Sequence, residues 1–166
     1  MMSKGKIYLT SGIIALAIGW YAFRPELLFI DKTVSEEFPG GAGIASIEQK
    51  PMPVTQGIFR SLAHETRGTA SIYQLADGAL TLRLTDFETS NGPDVHVYLT
   101  AGEVEKGNDA VKQAGFLDLG SMKGNKGDQN YEIPAGVELS KYRHVTIWCA
   151  RFGVNFGIAP LASGNS

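Results

Sequence analysis

Leu80, Leu82 and Leu84 alternate with Thr81, Arg83 and Thr85, and this period of two constrains the chain more than any other feature. Successive side chains of a strand point to opposite faces, so the pattern describes a half-buried strand with one polar face. Upstream, Thr69 to Leu75 carries the β-favouring Ile72 and Tyr73 and stops ahead of Asp77-Gly78, a dipeptide suited to a tight hairpin turn. A hairpin spanning these two runs follows. After a turn at Asn91-Gly92-Pro93-Asp94, Val95, Val97 and Leu99 alternate with His96 and Tyr98.

Further strands are expected at Phe116 to Leu119, at Asn130 to Ile133 ahead of Pro134, through the dense β-former run Val145 to Phe152, and at Asn155 to Leu161. Ala101 to Ala114 is polar and reads as a surface loop or a short helix, and Lys123 to Asp128 as a loop. About seven to nine short strands, with 20 glycines and no βαβ alternation, predict an all-β fold: an antiparallel β-sandwich or a partly closed barrel.

The N-terminal segment follows a different rule. Lys4 and Lys6 precede an apolar run, Ile7 to Phe23, interrupted by Thr10, Ser11 and two glycines. As a helix it would be about 25 Å long, near the short end of what crosses a bilayer. Arg24-Pro25 stops it, and Trp20, Tyr21 and Phe23 favour a headgroup region. Leu27 to Ile30 would extend that contact. No small-x-small cleavage site follows the run and no cysteine lies near its end, so an uncleaved transmembrane helix is expected rather than a signal peptide or a lipoprotein. The lysines on the short side place Met1 in the cytoplasm and the following domain outside, in the periplasm or at the cell surface.

The expected organisation is therefore an anchor over 1–30, a linker over 31–53 rich in Pro and Gly, and a β domain over 54–166. A net charge of −2 leaves no basic footprint, and no nucleic-acid-binding motif accompanies it. Phosphate-cradling loops, HExxH, CxxC, CxxCH and GxSxG are all absent from the sequence, which leaves hydrolase and nucleotide chemistry without support.

The one cysteine, Cys149, cannot form an intrachain disulfide, so the domain must be stable through packing. Strand alternation groups it with Val145, Ile147 and Arg151. A free cysteine is often a small buried hydrophobe, whereas a nearby cation such as Arg151 would favour the reactive thiolate. Of the three histidines, His64, His96 and His144, His96 faces away from the apolar row of its strand. His64, His96 and Asp94 are candidate metal ligands only if they converge in space, and scattered structural histidines are the alternative. Asp94 also suits a backbone-capping role in its turn.

Several stretches together make the chain resemble the electron-transfer DM-thirteen domain family. They are Gly57-Ile58-Phe59, His64 with Gly68-Thr69-Ala70, Leu84 to Phe87 leading into Gly92-Pro93-Asp94-Val95-His96-Val97-Tyr98-Leu99, and Leu119-Gly120 with Lys123-Gly124-Asn125. Asn130 to Pro134, Val145 to Cys149, Phe152, Val154, Phe156-Gly157 and Ala159 continue the match, which covers about residues 55–163. The resemblance implies a β-rich extracytoplasmic domain whose characteristic cysteine, here Cys149, takes part in redox transfer or ligates a cofactor. Some relatives fuse the domain to DOMON domains and b-type cytochromes. With a single anchor in their place, the electron partner would be a separate membrane or extracytoplasmic redox protein.

The expected function is that of a membrane-anchored redox accessory using Cys149, not a self-contained enzyme. A haem or other redox centre finds no ligand motif. The rival expectation is a non-catalytic binding or scaffold module for cell-envelope glycans or an integral membrane complex, with Cys149 in its core and the 101–114 and 123–128 loops as its surface.

Overall fold

The computed structural model describes residues 4–23, 30–39, 52–104 and 107–163. In chain order these form helix α1 (Lys4–Phe23), strands β1 (Thr33–Ser35), β2 (Thr55–Ile58), β3 (Arg60–Ser61), β4 (Thr66–Gln74), β5 (Leu80–Thr89) and β6 (Val95–Thr100), then helix α2 (Asn108–Ala114). Strands β7 (Phe116–Ser121), β8 (Lys126–Ile133), β9 (His144–Cys149), β10 (Val154–Pro160) and β11 (Ala162–Ser163) complete the set. One sheet has the order β1-β8-β5-β4-β2-β11 and the other β3-β10-β9-β6-β7. All pairings are antiparallel except that of β1 with β8. The sandwich expectation holds, and neither sheet closes into a barrel. Strands beyond the expected number are β1, β3 and β11, each of two or three residues and too short to show an alternation.

The β4–β5 hairpin forms as its sequence requires. Gly78 adopts a positive φ of 85°, and the Asp77 carboxylate accepts the Ala79 N–H at 2.9 Å. Leu82 and Leu84 are fully buried and meet Ala70, Ile72, Tyr131 and Ile133 of the same sheet. Facing them across the core are Val95, Val97, Leu99, Val145, Ile147 and Cys149. Burying a Leu or Ile side chain fully stabilises a fold by about 1.5–3 kcal/mol, so this shared interior holds the sheets together.

Strand β9 is buried on both faces, which accounts for its unbroken run of β-formers. Its outward-facing Trp148 packs with Tyr98, Ile158, Val104 and Val111 in a second, smaller cluster. Val104 and Val111 come from the stretch expected to be a loop or short helix; Val104 and helix α2 cover the outer face of the sheet at Trp148. The 150–153 turn then ends β9 at Cys149, closed by a hydrogen bond from the Gly153 N–H to the Cys149 carbonyl. The alternation that would carry Arg151 onto the face of Cys149 therefore stops short, and Arg151 is an exposed turn residue.

Residues 31–37, inside the stretch expected to be a linker, lie along the outer edge of β8. Thr33, Val34 and Ser35 pair in parallel with Lys126, Gly127 and Asp128. The Lys32 N–H donates to Asn125 Oδ1 at 2.6 Å, Asn125 Nδ2 to Asp31 at 2.7 Å, and Asn91 Nδ2 to the Ile30 carbonyl at 3.0 Å. Further along, Glu36 accepts from Lys123 Nζ at 2.8 Å and from the Asn130 N–H at 2.6 Å. The strap covers an edge that would otherwise offer unpaired backbone groups. Gly124 and Gly127 permit the close approach, because a Cβ on either would run into the Lys32 or Val34 carbonyl. Polar side-chain bonds hold the strap, so it carries no hydrophobic period to betray it in the sequence.

Among the described residues no helix is long and apolar enough to cross a membrane. Helix α1 has 20 residues, but Lys4, Lys6, Thr10, Ser11 and two glycines dilute its apolar run, and the expected transmembrane span gains no support from the structure. The helix does leave Ile13, Ile14, Leu16, Ile18 and Trp20 exposed. The Arg24-Pro25 stop, Leu27 to Phe29 and residues 40–51 of the expected linker lie outside the described residues.

Candidate functional site

Strand directions define two poles of the sandwich. The Asp77-Gly78 turn and the 134–136 turn mark one, since β5 and β8 pair Leu80 with Ile133 there. At the other, β5 ends at Thr89, β6 begins at Val95, and Val95 stands opposite Cys149. His64, the Asn91–Asp94 loop, Lys123-Gly124-Asn125, Cys149 and Phe156, which are scattered along the sequence, all meet at this second pole.

Short contacts tie them to one another. The Ala150 N–H donates to the Asp94 carbonyl at 2.8 Å, and the Met122 N–H to the Val95 carbonyl at 2.8 Å. The His64 ring packs on Phe156, tilted by 37°, with centroids 3.9 Å apart. Gly92 lies so close to Val95 and Phe156 that a Cβ there would come within 2.8 Å and 3.3 Å of them. A cleft of about 300 Å³ opens at the same pole between the Asn91–Val95 and Ser121–Gly124 segments, with Lys32 at its rim.

Cys149 is 0% exposed and belongs to the main core. Its cross-strand neighbours are Val95 and Val154, both apolar. Its backbone nevertheless leads directly into the surface turn containing Arg151 and Phe152.

His96 and Asp94 do converge, with a partner that sequence reasoning missed. His96 Nδ1 lies 3.0 Å and 3.1 Å from the two carboxylate oxygens of Asp118, and Nε2 lies 3.2 Å from Asp94 Oδ1. Both contacts are hydrogen bonds together only in the imidazolium form, since a neutral ring carries one N–H. Asp94 thus holds an imidazole, and the side-chain cap of its turn comes from Asn91, whose Oδ1 accepts the Gly92 N–H at 2.9 Å. Only the cross-strand register of β6 with β7 brings Asp118 there, and nothing in the sequence fixes that register. Beside the triad, the Tyr98 ring stacks on Phe116 at 4.4 Å. Burial, followed by the charges of Asp118 and Asp94, pushes the Tyr98 phenol above its ordinary value.

His64 does not join this group. Partial burial lowers its pKa, which suits a neutral ring packed on Phe156. Both nitrogens of His96 already face carboxylates, and Cys149 has apolar neighbours. Among the described residues no group of three or more His, Cys, Asp or Glu side chains is arranged to hold a metal ion. The cross-strand neighbours of Cys149, Val95 and Val154, offer no metal ligand beside it.

The strap has an ion-pair network of its own. Hydrogen bonds from Lys126 and Asn125 hold Asp31 below the usual carboxylate range, and Asp31 with Glu88 raises Lys126 in turn. Burial pushes Glu36 up, but Lys123, the Asn130 N–H and the charge of Arg83 outweigh it, leaving the carboxyl lowered. Burial likewise pushes the Tyr131 phenol up to about 12.

Comparison with curated proteins and with solved structures returns no match. The family described as Electron transfer DM13 matches residues 58–161, a span that contains both sheets' central strands and every pole residue from His64 to Phe156. That span is more than half of the chain, and the chain belongs to the Electron transfer DM13 family.

Proposed function

We propose that this protein is an electron-transfer accessory held at a membrane by its N-terminal helix, with its β domain on the extracytoplasmic side and Cys149 as its redox group. The observation that carries the reading is the position of Cys149: the chain's one cysteine sits at the pole where the family's matched motifs meet, one residue from a surface turn. Support for anchoring comes from the Ile7 to Phe23 run and the exposed apolar side chains of α1. Lys4 and Lys6 favour a cytoplasmic N-terminus.

A lone cysteine exchanges electrons by thiol–disulfide chemistry with a partner. The Cys149 thiol loses its proton, and the thiolate attacks one sulfur of a disulfide on a separate redox protein. The mixed S–S bond forms as the partner's other sulfur leaves as thiolate. This requires Sγ to be uncovered, so the 150–153 turn or the Asn91–Asp94 loop must open without global unfolding.

Native alkylation kinetics test this. Labelling of Cys149 is expected to outpace global unfolding, and a reversible redox couple or trapped mixed disulfide is expected to vanish in Cys149→Ala. Labelling only at the global unfolding rate, with Cys149→Ala changing stability alone, overturns it. That result supports the second reading, a non-catalytic binding or scaffold module, which the complete burial of Cys149 favours.

A further inference from the structure

The strap fixes where the chain enters the domain. Ile30 is bonded to Asn91 and Lys32 to Asn125, both at the pole that holds Cys149. Phe23 closes α1, so six residues separate the helix from Ile30. Fully extended, that connection reaches at most roughly 25 Å. Strand β5, with ten residues, runs about 33 Å from the opposite pole to this one. If the Asp77-Gly78 pole rested on the membrane that holds α1, Ile30 would stand farther away than the connection can reach. The inverted orientation is excluded by length alone.

Side chains at the near pole favour contact over mere proximity. Phe152, at the tip of the 150–153 turn, is 55% exposed, as is Ile30. Arg151 is exposed beside Phe152, and Lys32 is exposed two residues from Ile30, with Asp31 between them. An exposed aromatic and an aliphatic side chain with a cation within two residues of each match the boundary between phospholipid headgroups and acyl chains. The other charges of this pole are largely paired with each other: Lys126 with Asp31 and Glu88, and Arg67 with Glu88.

We propose that this pole docks on the bilayer surface through Phe152 and Ile30, so that Cys149 is presented within one turn of the lipid. The proposal rests on the anchored reading and deepens it, because a redox partner would then meet Cys149 at the bilayer surface.

The test uses the full chain in unilamellar vesicles of phosphatidylcholine and phosphatidylglycerol. Nitroxide labels are placed singly through Phe152→Cys, Arg151→Cys, Asp77→Cys and Leu16→Cys. All four are made in a Cys149→Ala background, so that the introduced thiol is the one labelled. Collision with a lipid-soluble relaxant (oxygen) and a water-soluble one (a nickel chelate) reports depth. Labels at 151 and 152 are expected to show several-fold lower nickel collision than the label at 77, and higher oxygen collision. If 151 and 152 behave as 77 does while 16 reports the acyl region, the docking proposal is overturned and anchoring stands. If the label at 16 also lies in water, anchoring fails and the docking proposal falls with it.

Discussion

Asn125→Ala is the sharpest test of the strap. The Asn125 side chain is buried and makes three hydrogen bonds: it accepts from the Lys32 N–H at 2.6 Å and donates to Asp31 at 2.7 Å and to the Thr89 carbonyl at 3.1 Å. Each of the two backbone bonds contributes about 1 kcal/mol net, and their loss leaves a donor and an acceptor in a partly closed site. The Asp31 side chain is 60% exposed, so its bond adds a few tenths of a kcal/mol at most by comparison with surface pairs. The expected destabilisation is about 2–3 kcal/mol, or roughly 10 °C in melting temperature for a domain of this size. Calorimetry reads that shift. Hydrogen exchange separates it by location: amides of Lys32, Glu36 and Lys126 should lose more protection than those of Val97 and Ile147. A shift under about 3 °C, or uniform loss of protection, refutes the view that Asn125 is the hub of the strap.

Three further outcomes follow from the same geometry. Acid should destabilise the fold in two windows. His64 has a lowered folded pKa, so its contribution is complete above its ordinary value of 6.5 and declines as pH falls below that. Glu36 and Asp31 are also lowered. Their contribution is present above their ordinary values of 4.5 and 3.8 and is lost as pH falls through the folded values. Melting temperature against pH should lose the first decline in His64→Leu and show a smaller second decline, with the Asp31 part remaining, in Glu36→Gln; profiles parallel to wild type would contradict the assignment. Among the described residues the buried Asn155 amide has no hydrogen-bond partner for its side-chain nitrogen or oxygen, so Asn155→Leu should stabilise by about 1–2 kcal/mol, read by chemical denaturation. An ordered water on that amide would reverse the sign. Cys149→Ser buries a hydroxyl between apolar neighbours and should cost about 1–3 kcal/mol, more than Cys149→Ala; the opposite order in urea titrations would mean a hydrated site.

The sequence carried the parts of the fold that bury one face. Leu82 and Leu84 alternate with polar residues, and they are where the pattern puts them. The same logic misplaced Arg151, because a strand pattern does not say where the strand stops, and the turn-closing bond at Cys149 is made by backbone. The strap was invisible for a different reason. Its adhesion comes from Asp31, Lys32, Glu36 and their side-chain hydrogen bonds, and polar residues near Pro and Gly read as linker whether or not a partner awaits them. Lys123-Gly124-Asn125 illustrates the gap well. As a motif it marked the resemblance, and as a local pattern it was only a loop, yet Gly124 and Asn125 receive the strap. Asp118 escaped notice because its role depends on register across two strands joined by a helix-containing segment.

Stability and reactivity oppose each other at the Cys149 pole, and Gly92 is the place to separate them. Gly92 has no left-handed backbone requirement, so alanine there is tested by packing alone. Its Cβ would press on Val95 at 2.8 Å and on Phe156 at 3.3 Å, and Val95 is the residue directly across from Cys149. Overpacking of this kind costs about 1–3 kcal/mol. The matched control is Gly78→Ala at the far pole. Open space surrounds it, but its φ of 85° makes alanine strained, at a cost on the order of 1 kcal/mol. If the thiol is reached by local opening of its own pole, Gly92→Ala accelerates alkylation of Cys149 beyond what its loss of global stability accounts for, and Gly78→Ala does not. Equal acceleration per unit of lost stability in the two variants means that the pole opens only when the whole sandwich does. A cysteine covered in that way has no route to a partner's disulfide in the folded protein, and electron transfer by this chain would then have to proceed without its thiol.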